Sequence, residues 1–205
     1  EFAGKFISVP HWGYYSTFDK AGNWYISSGR YVLKYSSSGA LVTQWGGFGT
    51  GPGQFRYPSG IQVGLDGNIY VADEDRGDIQ VFTPEGVYLS RITGFFDGPT
   101  DIKFDKSGNL YVANFYSGQI VVVSSGGAVV NRIPAARVRG LALDEDVNIL
   151  ACNFSCNVIY KFDRAGRLLF QVGPAAGSKN LNGPFGIVAD QFGNFYVADM
   201  SNGRV

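Results

Sequence analysis

Residues 58–82 read PSGIQVGLDGNIYVADEDRGDIQVF, and the same phrase returns as PTDIKFDKSGNLYVANFYSGQIVVV from Pro99, VRGLALDEDVNILACNFSCNVIYKF from Val138 and PFGIVADQFGNFYVADMSNGRV from Pro184. A more worn copy, YSTFDKAGNWYISSGRYVLKY, begins at Tyr15. Aligned on Asn23, Asn68, Asn109, Asn148 and Asn194, the copies are spaced by 45, 41, 39 and 46 residues, and periods of this length belong to solenoids, propellers and arrays. Within a copy, Ile61 and Val63 alternate with small or polar neighbours, NIYVAD is rich in β-branched and aromatic residues, and DIQVF alternates again, which is the period of strands. Turns such as DKAGN, LDGN and DKSGN separate the first two runs, with Gly and Asn able to take positive φ. A fourth run follows each turn glycine that lies four residues after Tyr35, Phe82, Val123 or Phe162, F-x-x-x-G in two of them: GALVTQWG from Gly39, GVYLSRITG from Gly86, GAVVNRI from Gly127 and GRLLFQVG from Gly166. Four short antiparallel strands per repeat with no helix between repeats predict an all-β fold, a β-propeller of four-stranded blades. Trp24, Tyr25, Tyr70, Tyr111, Phe195 and Tyr196 recur in register and are expected to fill the space between blades.

The composition fits a folded chain: 45% of the 205 residues are hydrophobic and 17% charged. Seventeen basic and seventeen acidic side chains cancel, so no overall field favours a nucleic acid or an anionic membrane. No apolar run reaches about 18 residues, so no membrane insertion is expected.

The motif P-S-G-I-Q-V, D-G-N-I-Y-V-A-D, I-Q-V-F resembles the NHL repeat, in four good copies and one poor one over nearly the whole chain. The resemblance implies a single domain over residues 1–205, with about five blade equivalents and the six-bladed ring usual for the family. Gly4–Val9 reads as an outer strand lacking its first three, and the chain reaches Arg204-Val205 where a third strand should begin. These ends are expected to be a piece of a longer chain, or else to close a five-bladed ring. Gly64, where other copies have Asp19, Asp105, Asp144 and Asp190, and Val147, in place of a turn glycine, depart from the pattern.

One histidine, His11, and two cysteines do not suffice for a zinc site or a Ser-His-Asp constellation. No catalytic residue, metal or cofactor is therefore expected. The expected function is a non-catalytic module, part of a larger extracellular chain, that presents the loop-rich face between blades to a protein partner and assembles into a larger complex. The alternatives are a metal-dependent hydrolase or lyase of propeller type, or an RNA-binding module of the kind some relatives resemble. Arg56, Tyr57, Phe95, Phe96, Arg137 and Arg139 are the candidate contacts, with Phe48 and Phe55 beside them, because aromatic and arginine side chains anchor interfaces. Nucleic acid is disfavoured because Asp73, Glu74, Asp75 and Asp97 offset the arginines.

Asp73, Asn114, Asn153 and Asp199 end the second strand of each copy. They are read as loop-tying acceptors rather than as ligands of a hydrated cation. Cys152 and Cys156, across a three-residue loop, are positioned for a hairpin disulfide or stand as free buried thiols. Asn153-Phe154-Ser155 is a glycosylation sequon, and together these features tilt the expected localisation toward the extracellular side. Arg76-Gly77-Asp78 spells an integrin-type tripeptide but reads first as loop charges.

Overall fold

A computed structural model describes residues 13–173 and 181–205. The repeat folds as read: each full copy is one four-stranded antiparallel sheet in chain order, and the described residues contain no α-helix. The first blade comprises β1 (Gly13–Phe18), β2 (Trp24–Ser28), β3 (Tyr31–Tyr35) and β4 (Leu41–Gly46). The second comprises β5 (Pro58–Val63), β6 (Ile69–Asp73), β7 (Asp78–Phe82) and β8 (Tyr88–Ile92). The third is β9 (Pro99–Phe104), β10 (Leu110–Asn114), β11 (Gln119–Val123) and β12 (Val129–Pro134). The fourth is β13 (Val138–Leu143), β14 (Ile149–Asn153), β15 (Val158–Phe162) and β16 (Leu168–Val172). Of the fifth, β17 (Pro184–Ala189) and β18 (Phe195–Asp199) pair with each other. The chain divides into two compact units, residues 1–94 and 95–205.

Inside each unit the first strands of successive blades lie side by side: β1 with β5 in one, β9 with β13 and β13 with β17 in the other. On these first strands Ile61, Ile102, Leu141 and Ile187 are buried, whereas Val63, Phe104 and Leu143 are half-buried and Val188 is exposed. Blades are stacked through aromatic and aliphatic faces. Tyr25 of the first blade is buried with Ile61, Ile69 and Val71 of the second, and Tyr111 of the third with Leu141 and Ile149 of the fourth. Such faces cannot be covered within one sheet, so neighbours hold each other up.

The F-x-x-x-G signature has a packing reason. Phe82 lies 5.8 Å from Trp45 of the preceding blade, in one cluster with Val32, the cross-strand partner of Trp45. Gly86, at φ 87°, passes so close that a Cβ there would come within 2.6 Å of Trp45 Cδ2. The fourth blade repeats the arrangement: Phe162 shares a cluster with Ile120 and Ile133, themselves paired across β11 and β12, and a Cβ on Gly166 would meet Ile133 Cγ1 at 2.7 Å. The motif is a joint between blades. Its aromatic ring covers a pair of outer-strand side chains, and its glycine lets the turn come down onto them.

The D-x-x-G-N turns are built around one carboxylate. Asp105 Oδ1 accepts the amides of Ser107 and Asn109 at 2.8 and 2.9 Å, and Oδ2 accepts Asn109 Nδ2 at 2.7 Å and the Tyr111 hydroxyl at 3.4 Å. Asp19, Asp144 and Asp190 repeat three of these contacts, from the amide two residues on and from the asparagine's amide and Nδ2. In the second blade the departure at Gly64 is repaired from two residues away. Asp66 accepts the Asn68 amide, Asn68 Nδ2 and the Tyr70 hydroxyl at 3.1, 2.7 and 3.1 Å, in space a side chain at 64 would take, since a Cβ there would lie 2.6 Å from Asp66 Oδ1. Val147 departs without repair: it keeps the left-handed backbone of the glycine it replaces, at φ 63°.

Candidate functional site

The loops after the second strands and those leading into the first strands meet at the acceptor positions, and there the structural role holds. Asp73 Oδ1 accepts the Tyr57 and Arg76 amides and Oδ2 accepts the Arg56 amide, at 3.0, 3.2 and 2.8 Å. Asn114 Oδ1 accepts the Asp97 amide, Asn153 Oδ1 that of Cys156, and Asp199 Oδ1 that of Asn182. All four are buried. Burial pushes the Asp73 carboxyl up, against the pull of those three amides. Asn114 stands where Asp73 has a second acceptor oxygen, and its Nδ2 is buried without a partner. No group of three or more metal-ligating side chains occurs among the described residues.

In the first unit, Arg56 and Tyr57 are exposed beside Asp73, their amides bound and their side chains outward. Arg30 lies over the Phe48 ring at 4.1 Å, and Phe48 is 60% exposed. Phe55 is fully buried in the blade-joining cluster and is no contact residue. The Arg76-Gly77-Asp78 tripeptide is closed to partners. The Arg76 side chain, 6% exposed, pairs with Asp78 at 2.9 Å and donates through Nη1 to the Gly51 and Gln54 carbonyls at 3.0 and 2.9 Å. Gln80 adds bonds to Gly53 and Gln54, so the Gly-rich stretch 46–55 is a fixed loop despite its composition.

In the second unit, Phe95 and Phe96 pack edge to face at 6.1 Å. Arg139 and Arg137 both converge on Phe115, their guanidinium carbons 3.9 and 5.9 Å from its centroid, and Phe115 packs on Tyr116 at 5.4 Å. The two arginines singled out from the sequence are thus brought together, on a ring that the sequence alone does not single out. Its signal is the recurrence N-F-Y and N-F-S after the acceptor at 114 and 153. Phe154, the counterpart of Phe115, packs on Phe185 instead. The connection from the fourth blade to the fifth lies partly, and His11 and Gly4–Val9 wholly, outside the described residues.

Two readings around the fourth blade turn on burial. Cys152 and Cys156 are free thiols, one buried and one exposed, because Cys152 pairs across the hairpin with Ile159 and turns into the apolar cluster with Leu150 and Ile187. Burial, then the charge of Asp101, pushes the Cys152 thiol up to about 12, so it stays protonated and unreactive. Asn153 is 1% exposed with its oxygen bound to the Cys156 amide, and a glycan on its nitrogen would have no room.

Residues 55–82 match the NHL repeat family, and no curated protein matches the chain. Among solved structures, virginiamycin B lyase from Staphylococcus aureus superposes with a TM-score of 0.71 at 14% identity, over 90% of this chain and 62% of the lyase. A catalytically inactive form of that lyase, with a histidine replaced by alanine and Quinupristin present, gives 0.69 at 15% over 86% and 60%. Hydrazine synthase from Kuenenia stuttgartiensis gives 0.68 at 16% over 98% and 77%. The chain therefore spans about three fifths of the length of the lyase. These similar structures are enzymes, which overturns the expectation of a non-catalytic module made for a protein partner. The fold is one that propeller lyases use. Repeat, blade and solved structures agree on the fold that the recurring phrase implied: a β-propeller, with an NHL repeat matched at residues 55–82.

Proposed function

We propose that the chain is part of a propeller enzyme of lyase type, to which it supplies blades and a substrate-holding rim. The observation that carries this reading is the superposition on virginiamycin B lyase along 90% of the chain. An elimination needs a base that removes a proton and a group that meets the negative charge developing on the neighbouring oxygen. The Phe115, Arg137 and Arg139 cluster is suited to meeting that charge, because two guanidinium groups gathered over one ring place several N–H donors close together. The solved lyase loses its activity when a histidine is replaced by alanine, and on this proposal a histidine takes the proton here. In this sequence that residue is His11, or one carried by chain beyond these residues.

The test is incubation of the native polypeptide with Quinupristin, followed by mass spectrometry. A lyase cleaves without adding water, so the summed product mass equals that of the substrate, whereas a hydrolase adds one water. Turnover without mass gain, slowed by about tenfold or more in Arg139→Ala, is the expected outcome. A folded native polypeptide that neither binds nor consumes the compound sinks the proposal.

A further inference from the structure

The first strands share a column in which the fourth and fifth blades depart from the second and third. Its residues are Ser59, Thr100, Arg139 and Phe185, each one step after the residue paired with Asp73, Asn114, Asn153 or Asp199. Ser59 and Thr100 turn their hydroxyls back on their own sheets, donating to the Ala72 and Ala113 carbonyls at 3.4 Å each. Arg139 and Phe185 reach the preceding blade instead, and each meets a phenylalanine that directly follows an acceptor. Arg139 lies over Phe115 at 3.9 Å, and Phe185 packs edge to face on Phe154 at 6.1 Å. The two seats adjoin. β13 and β17 lie side by side, so close that Gly140, next to Arg139, has no room for a Cβ against the Phe185 carbonyl oxygen.

A second column points to the same place. The residue before the first strand is Gly98 in the third blade and Gly183 in the fifth, at φ 68° and 65°, and between them in the fourth it is Arg137, at φ 50°. Left-handed backbone is open to glycine and strained for a residue with a side chain. The fourth blade thus keeps an arginine at a position its neighbours give to glycine, and that arginine brings a second guanidinium to the Phe115 ring, at 5.9 Å. Two like charges gathered on one ring at the cost of backbone strain do nothing for the fold, but they suit an anion. Asp97 stands in the loop fastened beside Phe115 through the Asn114 side chain and the Tyr116 amide, so two arginines and one aspartate leave a single positive charge there.

We infer that Arg137 and Arg139 clamp the carboxylate of a small aromatic acid whose ring rests on Phe154 and Phe185. The guanidinium fork matches the two oxygens of a planar carboxylate, a monoanion cancels the charge left over Asp97, and an edge-to-face pair of rings offers a third ring an aromatic seat. The inference rests on the reading of this cluster as the part of the site that meets negative charge, but it concerns binding and needs no turnover.

Calorimetric titration of the full native polypeptide with hydrocinnamate tests it. The acid binds, and its uncharged amide and inorganic phosphate each bind at least about tenfold more weakly. Arg139→Gln weakens the acid by about tenfold or more, and Phe154→Leu by about threefold or more. Arg137→Gly separates binding from folding: the thermal midpoint rises as the backbone strain is released, while affinity for the acid falls by at least about threefold. Equal binding of the acid and its amide, phosphate bound as tightly as the acid, or undiminished affinity in Arg137→Gly overturns the inference. Hydrocinnamate bound by a polypeptide that leaves Quinupristin intact supports this inference and sinks only the lyase reading. Quinupristin turnover by a polypeptide that does not bind hydrocinnamate overturns this inference and leaves the lyase reading standing.

Discussion

Replacing Asp105 by alanine removes the acceptor around which the third blade's first hairpin turns. Three contacts at 2.7 to 2.9 Å are lost, from the Ser107 amide, the Asn109 amide and Asn109 Nδ2, along with the longer one from Tyr111. Bonds to a charged group contribute about 1.5–3 kcal/mol each when buried, but turn amides recover part of this from water. A net cost of about 2–3 kcal/mol follows, or a fall in Tm of about 5–10 °C for a chain of this size. Asp190 makes the same three contacts in the fifth blade, at 2.9 Å each, in an exposed setting where water replaces them, so Asp190→Ala costs markedly less. Acid sharpens the comparison. Burial raises the Asp105 carboxyl, but the bonds from Asn109 and Ser107 outweigh it, so its pKa lies below the ordinary 3.8. A carboxyl with a depressed folded pKa contributes stability that is complete above its unfolded value and is lost as pH falls through the folded one. The gap between wild type and Asp105→Ala, measured by urea unfolding, is therefore constant from neutral pH to about 5 and closes below about 3.8. Equal losses at positions 105 and 190, or a gap that persists undiminished into acid, would refute the reasoning.

Val147→Gly relieves a β-branched residue held at φ 63°; after the loss of its partial packing on the core, it stabilises by about 0.5–1 kcal/mol, read as a rise in thermal midpoint. Arg76→Ala strips the Gly51 and Gln54 carbonyls of their donor and leaves Asp78 without its close partner; a cost of about 3 kcal/mol, with proteolytic nicking first within 46–55, is expected. Asp73 has a raised pKa, burial being the main cause, so it favours the protonated folded state. Its contribution falls as pH rises from about 3.8 upward, and a variant with Asn at 73, which cannot lose a proton, shows a flatter unfolding free energy across that window.

The strands and their order could be read because each rests on a local device that repeats: period-two alternation, a glycine or asparagine turn, an aspartate that holds it. Gly64 shows the limit of reading by column, since the missing carboxylate is supplied by Asp66, and only the geometry shows that the two positions are alternatives. The candidate site was half legible. Arg137 and Arg139 could be chosen by type, but their common ring, Phe115, lies in the preceding blade, and contacts across blades leave no mark in either segment alone. The state of the cysteine pair is hidden for a related reason. Spacing sets them across a hairpin loop, while the register, in which Cys152 faces Ile159, decides which side chains meet.

The seam between blades has a bearing on how such a chain can change. Because a period such as the fourth carries both the ring and glycine that cover the outer-strand pair of the blade before it and an outer-strand pair of its own, a duplicated copy arrives with both a plug for the copy before it and a socket for the copy after it. Adding or removing a whole period asks for no matching change elsewhere, whereas an insertion that separates plug from socket spoils two blades at once. Lineages of this architecture can gain or lose blades by recombination in register, and the tolerated breakpoints fall between complete periods.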